Sequence, residues 1–299
     1  MSHDIKILLF SDPHYSTNSL IEEEKWFPPV CSILPNFLAK KFLQFWDKMT
    51  QGAFIKMLNK AKRETYDLAI GLGDYTPGAN ESGMITDKSI GQFNSFKRIL
   101  DQMISCHKIL VWGDHDAGYR FEVSKKTGVK IGTEQGGMSD LSAENAGKLL
   151  GSPFYDFEMG PAKFFHISTN LIKNVDENDS NYLQILKKNQ VWYLDSCLER
   201  SITNLNFVLL HDPTALTPES EIRKVLDKHK KKITAIIHGH LHAEFARKLT
   251  MLSPVSRDLC QNFKTVLVPA SWGMMGIGAG YKVLEIDRNE YFKIIKHKS

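Results

Sequence analysis

Ile7-Leu8-Leu9-Phe10-Ser11-Asp12-Pro13-His14 opens with four apolar residues that show no alternation. That is the pattern of a central strand covered on both faces. It is followed, where such a strand would run out, by an aspartate and a histidine one residue apart. The same design recurs four times further along. Asp67–Leu72 leads into Gly73-Asp74, Lys108–Trp112 into Gly113-Asp114-His115-Asp116, Asn206–Leu210 into His211, and Ile233–His238 into Gly239-His240-Leu241-His242. In folds built on parallel strands the ligand sits in the crevice beyond the carboxyl ends. Donors placed at such ends therefore meet in one place.

Between these strands the spacing predicts helices from about Leu38 to Arg63, over Asp87–Ile104, near Leu141–Leu150, over Asn189–Arg200 and over Pro218–Lys228. Phe154–Glu158 and Lys163–Ser168 read as paired strands, and Val266–Pro269, Lys282–Ile286 and Tyr291–Ile295 as closing strands. Alternating strands and helices of this kind specify a layered α/β fold. No repeat, low-complexity stretch or linker divides the 299 residues, so 1–299 reads as a single domain. An aromatic-rich insertion or elaborated first helix lies at about 20–50.

Apolar content of 42% and charged content of 24% describe an ordinary globular chain. A net charge of +4, spread along the chain, does not call for nucleic acid. The basic run from Arg223 to Lys232 reads as a solvated helix end. No basic stripe interleaved with aromatics is present to grip a single strand, so nucleic acid is not the expected partner. The four cysteines, Cys31, Cys106, Cys197 and Cys260, are scattered, as expected of reduced thiols in a cytoplasmic protein. Lys6 interrupts the first apolar run, so no signal peptide is expected. Trp26 to Trp46 is rich in Trp and Phe, but Pro28, Pro29 and Pro35 break it and Lys40 and Lys41 split it. It therefore does not form a transmembrane span. Its two readings are a helix packed on the sheet, and a cap that faces acyl chains or touches a membrane surface peripherally.

The donor set decides the chemistry. Five histidines and three aspartates stand in register at strand ends, a set that suits two divalent cations side by side. Imidazole and carboxylate without thiolate suit Mn, Fe, Zn or Ni. Single histidines on apolar strands are ordinarily core or capping residues, and His107, His166 and His238 are read that way.

Taken in order, the five segments resemble the calcineurin-like metallophosphoesterase family, whose pattern is Asp-X-His, Gly-Asp, Gly-Asn-His-Asp or Glu, a single His, and Gly-His-X-His. The match runs from Asp12 to Ser271. Gln190-Val191-Trp192-Tyr193-Leu194 is similar to a helix of its purple acid phosphatase and cyclic nucleotide phosphodiesterase branch. The resemblance implies a four-layer α/β/β/α sandwich and a phosphoric ester hydrolase that attacks a mono- or diester in line with a metal-bridging hydroxide. It implies Asp12, His14 and His242 on a first metal, His211 and His240 on a second with Asp114 completing that site, and Asp74 bridging both. His115 would protonate the leaving oxygen, with Asp116 orienting its ring.

Asp114 departs from the family's Asn. A carboxylate here binds cations more tightly and favours a harder ion, which makes Mn the preferred metal. The expected substrate is a small soluble phosphate such as a nucleotide. The alternatives are a lipid-linked pyrophosphate or phosphodiester with 26–46 as acyl cap, and a non-catalytic metal-binding module. Tyr75 and Asp212 flank ligands and read equally as substrate contacts or structural residues. Asn170 and Trp272 are candidates for the pocket wall, and the Gly-rich polar loops 76–86 and 117–139 for its mouth.

Overall fold

In the computed structural model, described over residues 4–15, 36–77, 83–118, 137–241, 254–271 and 280–298, the apolar runs become the central strands of two sheets. In chain order the elements are β1 (Ile5–Phe10), α1 (Asn36–Ala61), β2 (Leu68–Gly71), α2 (Asp87–Met103), β3 (His107–Leu110), α3 (Asp114–Ala117), α4 (Asp140–Leu150), β4 (Tyr155–Met159) and β5 (Ala162–His166). There follow α5 (Thr169–Lys173), α6 (Asn181–Arg200), β6 (Leu205–Leu210), α7 (Glu221–Lys228), β7 (Ala235–His238), α8 (Pro254–Asn262), β8 (Thr265–Leu267), β9 (Gly280–Ile286) and β10 (Phe292–Lys298).

One sheet has the order β10-β9-β1-β2-β3 and the other β4-β5-β6-β7-β8. β1, β2 and β3 are parallel to one another, as are β5 to β8. β9, β10 and the β4 hairpin strand pair antiparallel.

Strand geometry sends successive side chains to opposite faces. Ile7 and Leu9 therefore enter the space between the sheets, where they join Phe164, Phe207, Leu209 and Ile237. Leu8 and Phe10 point the other way, against Phe54 and Leu58 of α1, Phe93 and Phe96 of α2, and Ala146 of α4. On the second sheet Val208, Leu210 and Ile236 face Leu194 and Leu198 of α6, Ile222 and Leu226 of α7, and Leu259 of α8. Each such Leu, Ile or Phe contributes about 1.5–3 kcal/mol on burial. The product is the four-layer α/β/β/α sandwich expected from the sequence.

The structure departs from the expected elements in a few places. α6 begins at Asn181 rather than Asn189, because the Ser180 hydroxyl caps it by accepting from Leu183 N. The short α3 and α5, and α8, were not anticipated from periodicity. The basic run is not wholly solvated. Arg223 is buried, with Nη2 2.6 Å from Asp258 and Nε 3.1 Å from Asp227, which ties α7 to α8. Lys232 Nζ donates to the last carbonyls of α6, Leu198 O at 2.9 Å and Glu199 O at 2.6 Å. Cys106, Cys197 and Cys260 are free thiols.

Among the described residues no helix is long and apolar enough to cross a membrane. The cap assigned to Trp26–Trp46 lies outside the described residues, apart from the backbone that begins α1. Residues 78–82 and 119–136 of the two loops, together with His242 and Trp272, also lie outside them.

Candidate metal centre

Asp12, Asp74, Asp114, His211 and His240 all follow the carboxyl ends of parallel strands, and the connecting loops are laced together by backbone hydrogen bonds. Asp12 N donates to Gly73 O and His14 N to Asp74 O, both at 3.0 Å, while Gly239 N donates to His211 O at 3.1 Å. The loops approach backbone to backbone. Gly73 has φ +93°, and a Cβ there would fall 2.6 Å from both Gly113 Cα and His211 Nδ1. At Gly239 a Cβ would fall 1.9 Å from Ser11 Oγ. Glycine is thus required on steric grounds at both positions.

Four non-glycine residues hold positive φ in these loops: Asp12 (47°), His14 (41°), Asp74 (56°) and His240 (62°). Asp and His tolerate the left-handed region better than most residues, yet each such residue still costs on the order of 1–3 kcal/mol. Strain concentrated on four candidate ligands is a mark of a functional site.

The side chains gather around Asp74. Its Oδ2 lies 3.2 Å from His211 Nε2, 3.8 Å from His14 Nε2 and 4.0 Å from His115 Nε2. His211 Nε2 in turn lies 3.3 Å from His240 Nδ1 and 4.0 Å from Asp12 Oδ1. His240 Nδ1 is 3.2 Å from Asp114 Oδ2. Two groups of ligand-capable side chains therefore share Asp74, His14 with His115 in one and His211 with His240 in the other. Asp12 Oδ2 accepts from His240 N at 3.0 Å and from Ser11 Oγ.

Asp116 does not orient the His115 ring, which corrects the expectation from sequence. Its Oδ2 accepts from Asp74 N at 2.8 Å and Gly113 N at 2.9 Å, and its Oδ1 accepts from Tyr75 N at 3.1 Å. Neighbouring residues on a helical turn do not face one another. The ring is held by the Pro77 carbonyl, 2.7 Å from Nδ1, while His115 N donates to Asp74 Oδ1 at 2.9 Å.

Tyr75 is structural. It is fully buried, its hydroxyl donates to Val111 O at 2.9 Å and accepts from Gly73 N at 3.1 Å, and its ring stacks on Phe96. Asn170 is buried, with Nδ2 donating to Gly118 O at 2.8 Å. His166 is a core residue that burial pushes down to about 3. His238 is buried as well, whereas His107 is exposed at the start of β3. Gln190 clasps the backbone of Ser168, accepting from its N at 2.7 Å and donating to its O at 3.1 Å. Lys173 was not picked out in the sequence. Its Nζ sits 2.6 Å from the buried Asp212 Oδ2, and no motif surrounds it.

The electrostatics favour positive charge at the centre. Burial opposes ionisation of Asp74, but His211, His115 and His14 outweigh it and hold the carboxyl well below the usual range. Burial opposes charge on His211 as well, yet Asp74, Asp12 and Asp114 push it well above the usual imidazole range. Burial raises Asp114.

These residues fit divalent cations. His211 Nδ1 donates to the Leu72 carbonyl at 2.6 Å, so in the neutral ring the unprotonated nitrogen is Nε2, which is turned inward. That nitrogen, His240 Nδ1 and two buried carboxylates face one another at close range. The buried Asp114 Oδ1 has no hydrogen-bond partner among the described residues. A cation satisfies such a set, since buried polar atoms otherwise carry the cost of lost hydration. Among the described residues the groups that gather here are imidazoles and carboxylates.

Among solved structures, a dimetal phosphatase from Danio rerio is similar at 14% identity and TM-score 0.52, with 99% of each chain covered. The structure of PhoD is similar at 12% identity and TM-score 0.51, covering 94% of this chain and 63% of that one. A purple acid phosphatase from yellow lupin (Lupinus luteus) seeds matches at 13% identity and TM-score 0.44, and 81% of this chain spans only 38% of it. A search of curated protein sequences gives no match. The sequence model described as calcineurin-like phosphoesterase matches residues 5–244. The chain belongs to the calcineurin-like phosphoesterase family, and is a metal-dependent phosphoester hydrolase.

Proposed function

We propose that the chain hydrolyses a small soluble phosphate mono- or diester at a paired-cation centre. In this reading Asp12, His14 and His242 hold one cation, Asp114, His211 and His240 hold the other, and Asp74 bridges them. The observation that carries it is that two groups of imidazoles share one buried carboxylate, Asp74. When bound, a cation pair neutralises the ester phosphate and lowers the pKa of a water between them.

The chain's own residues supply the rest. The Leu72 carbonyl holds the His211 tautomer. His115, turned toward Asp74 by its Nε2 and held at Nδ1 by Pro77 O, gives a proton to the departing oxygen. Asp116 fixes the loop geometry by gathering the amides of Asp74, Tyr75 and Gly113.

The test is a panel of phosphate monoesters and diesters assayed with Mn, Fe, Zn and Ni, alongside elemental analysis. Turnover that depends on two cations per chain, best with Mn, is expected. Two bound cations with no turnover of any ester would reject catalysis in favour of a binding module. Asp114→Asn adds a second arm. Ligand charge count sets affinity for hard cations over several decades. The variant is therefore expected to bind Mn about tenfold or more weakly. Unchanged Mn affinity would show that the extra carboxylate does not act on the metal.

A further inference from the structure

We propose that Asp212 is a positioning residue for His240, setting the tautomer in which Nδ1 presents its lone pair to the second cation. The inference rests on the paired-cation reading above. His240 stands between two carboxylates, with Nδ1 3.2 Å from Asp114 Oδ2 and Nε2 3.7 Å from Asp212 Oδ2. An imidazole ligates through the nitrogen without a proton, and the other nitrogen then carries the N–H. A carboxylate beyond that N–H fixes both tautomer and ring orientation. Asp212 occupies that place. The separation exceeds a direct hydrogen bond, so its action is that of a charge ordering the ring. Packing alone does not fix the ring, because the His240 side chain is 31% exposed.

Asp212 itself is firmly held. It is fully buried, and its Oδ1 accepts from Thr214 N at 2.8 Å and Thr214 Oγ1 at 2.7 Å. Its Oδ2 accepts from Lys173 Nζ at 2.6 Å and Thr214 Oγ1 at 2.9 Å. Asp212 N donates to Thr169 Oγ1 at 3.2 Å. An asparagine here would keep its one oxygen on Thr214 N and turn its NH₂ toward His240 Nε2. That arrangement favours the opposite tautomer and closes Nδ1 to a cation.

The experiment is a calorimetric Mn titration of the metal-stripped full chain, comparing wild type, Asp212→Asn, Asp212→Glu and Thr214→Ala, with a thermal melt of each. Asp212→Asn is expected to keep the first cation and to bind the second about 10–100-fold more weakly. Asp212→Glu, which retains an anionic acceptor, is expected to recover part of that loss. Thr214→Ala, which removes a cap of the turn and leaves the carboxylate, is expected to lower the melting temperature with the second cation retained. Wild-type affinity in Asp212→Asn overturns the proposal. Equal weakening in Asp212→Asn and Thr214→Ala also overturns it, since a purely structural role predicts that result. If Asp212→Asn does not fold, a Glu variant that folds but binds one cation only overturns it as well. A wild type that fails to bind two cations overturns the paired-cation reading itself, which separates the two failures.

Discussion

Asp74→Ala is expected to lower kcat/KM for phosphoester hydrolysis by about 10³-fold or more, a loss at or above the upper end of that seen when one preorganised charge-stabilising group is deleted. The purified variant is expected to carry at most one cation per chain. Asp74 is almost fully buried, and its Oδ2 has His211 Nε2 at 3.2 Å and His14 Nε2 at 3.8 Å. Removing it takes the shared ligand from both proposed sites and takes from His211 and His14 the carboxylate that faces them both. Folding can be separated from charge by Asp74→Asn. Asparagine keeps an oxygen for His115 N, which donates to Asp74 Oδ1 at 2.9 Å, but presents an NH₂ toward His211. It is expected to fold and still lose a cation with most of the turnover. Two cations and wild-type kcat/KM in either variant would remove Asp74 from its bridging role.

The central strands were legible in the sequence because burial on both faces leaves no polar residue to mask the run. Leu8 and Leu9 are buried equally, one against helices and one between sheets. The donors were legible for a related reason. A parallel sheet brings the carboxyl ends of its strands to one edge, so residues far apart in sequence meet if each follows a strand. Asp12 and His240, 228 positions apart, are joined by a 3.0 Å backbone-to-carboxylate hydrogen bond.

What could not be read was the direction of each side chain within a loop. Asp116 follows His115 in sequence, yet it turns toward the amides of Gly113 and Asp74, because a helical turn separates adjacent residues. The groups that hold the His115 and His211 rings are the backbone carbonyls of Pro77 and Leu72, which carry no residue-type signal at all. Lys173 reaches Asp212 across 39 positions from the unanticipated short helix α5, and only the pairing of β5 with β6 brings the two together.

His115→Gln separates a proton donor from a ligand. If His115 delivers a proton to the leaving oxygen, its value depends on how basic that oxygen is. An alkyl phosphate ester departs as a strongly basic alkoxide and needs the proton, so the variant is expected to lose about 10²–10⁴ in kcat on it. A p-nitrophenyl ester departs as a weakly basic phenolate, and the loss there is expected to be about tenfold or less, because little proton transfer is called for. The variant is expected to keep two cations, since it leaves every residue proposed to hold them in place, including the contacts from Asp74 to His211 (3.2 Å), His211 to His240 (3.3 Å) and His240 to Asp114 (3.2 Å). His115 also lies within ligating range of His14 and Asp74, which gives the competing role a definite signature. A ligand's removal would lower the metal content and depress both esters to the same extent. Equal losses on alkyl and aryl esters, with one cation missing, would therefore move His115 from the proton-transfer role to the first metal position. A loss confined to the alkyl ester assigns the proton to its Nε2, with the Pro77 carbonyl as the group that aims it.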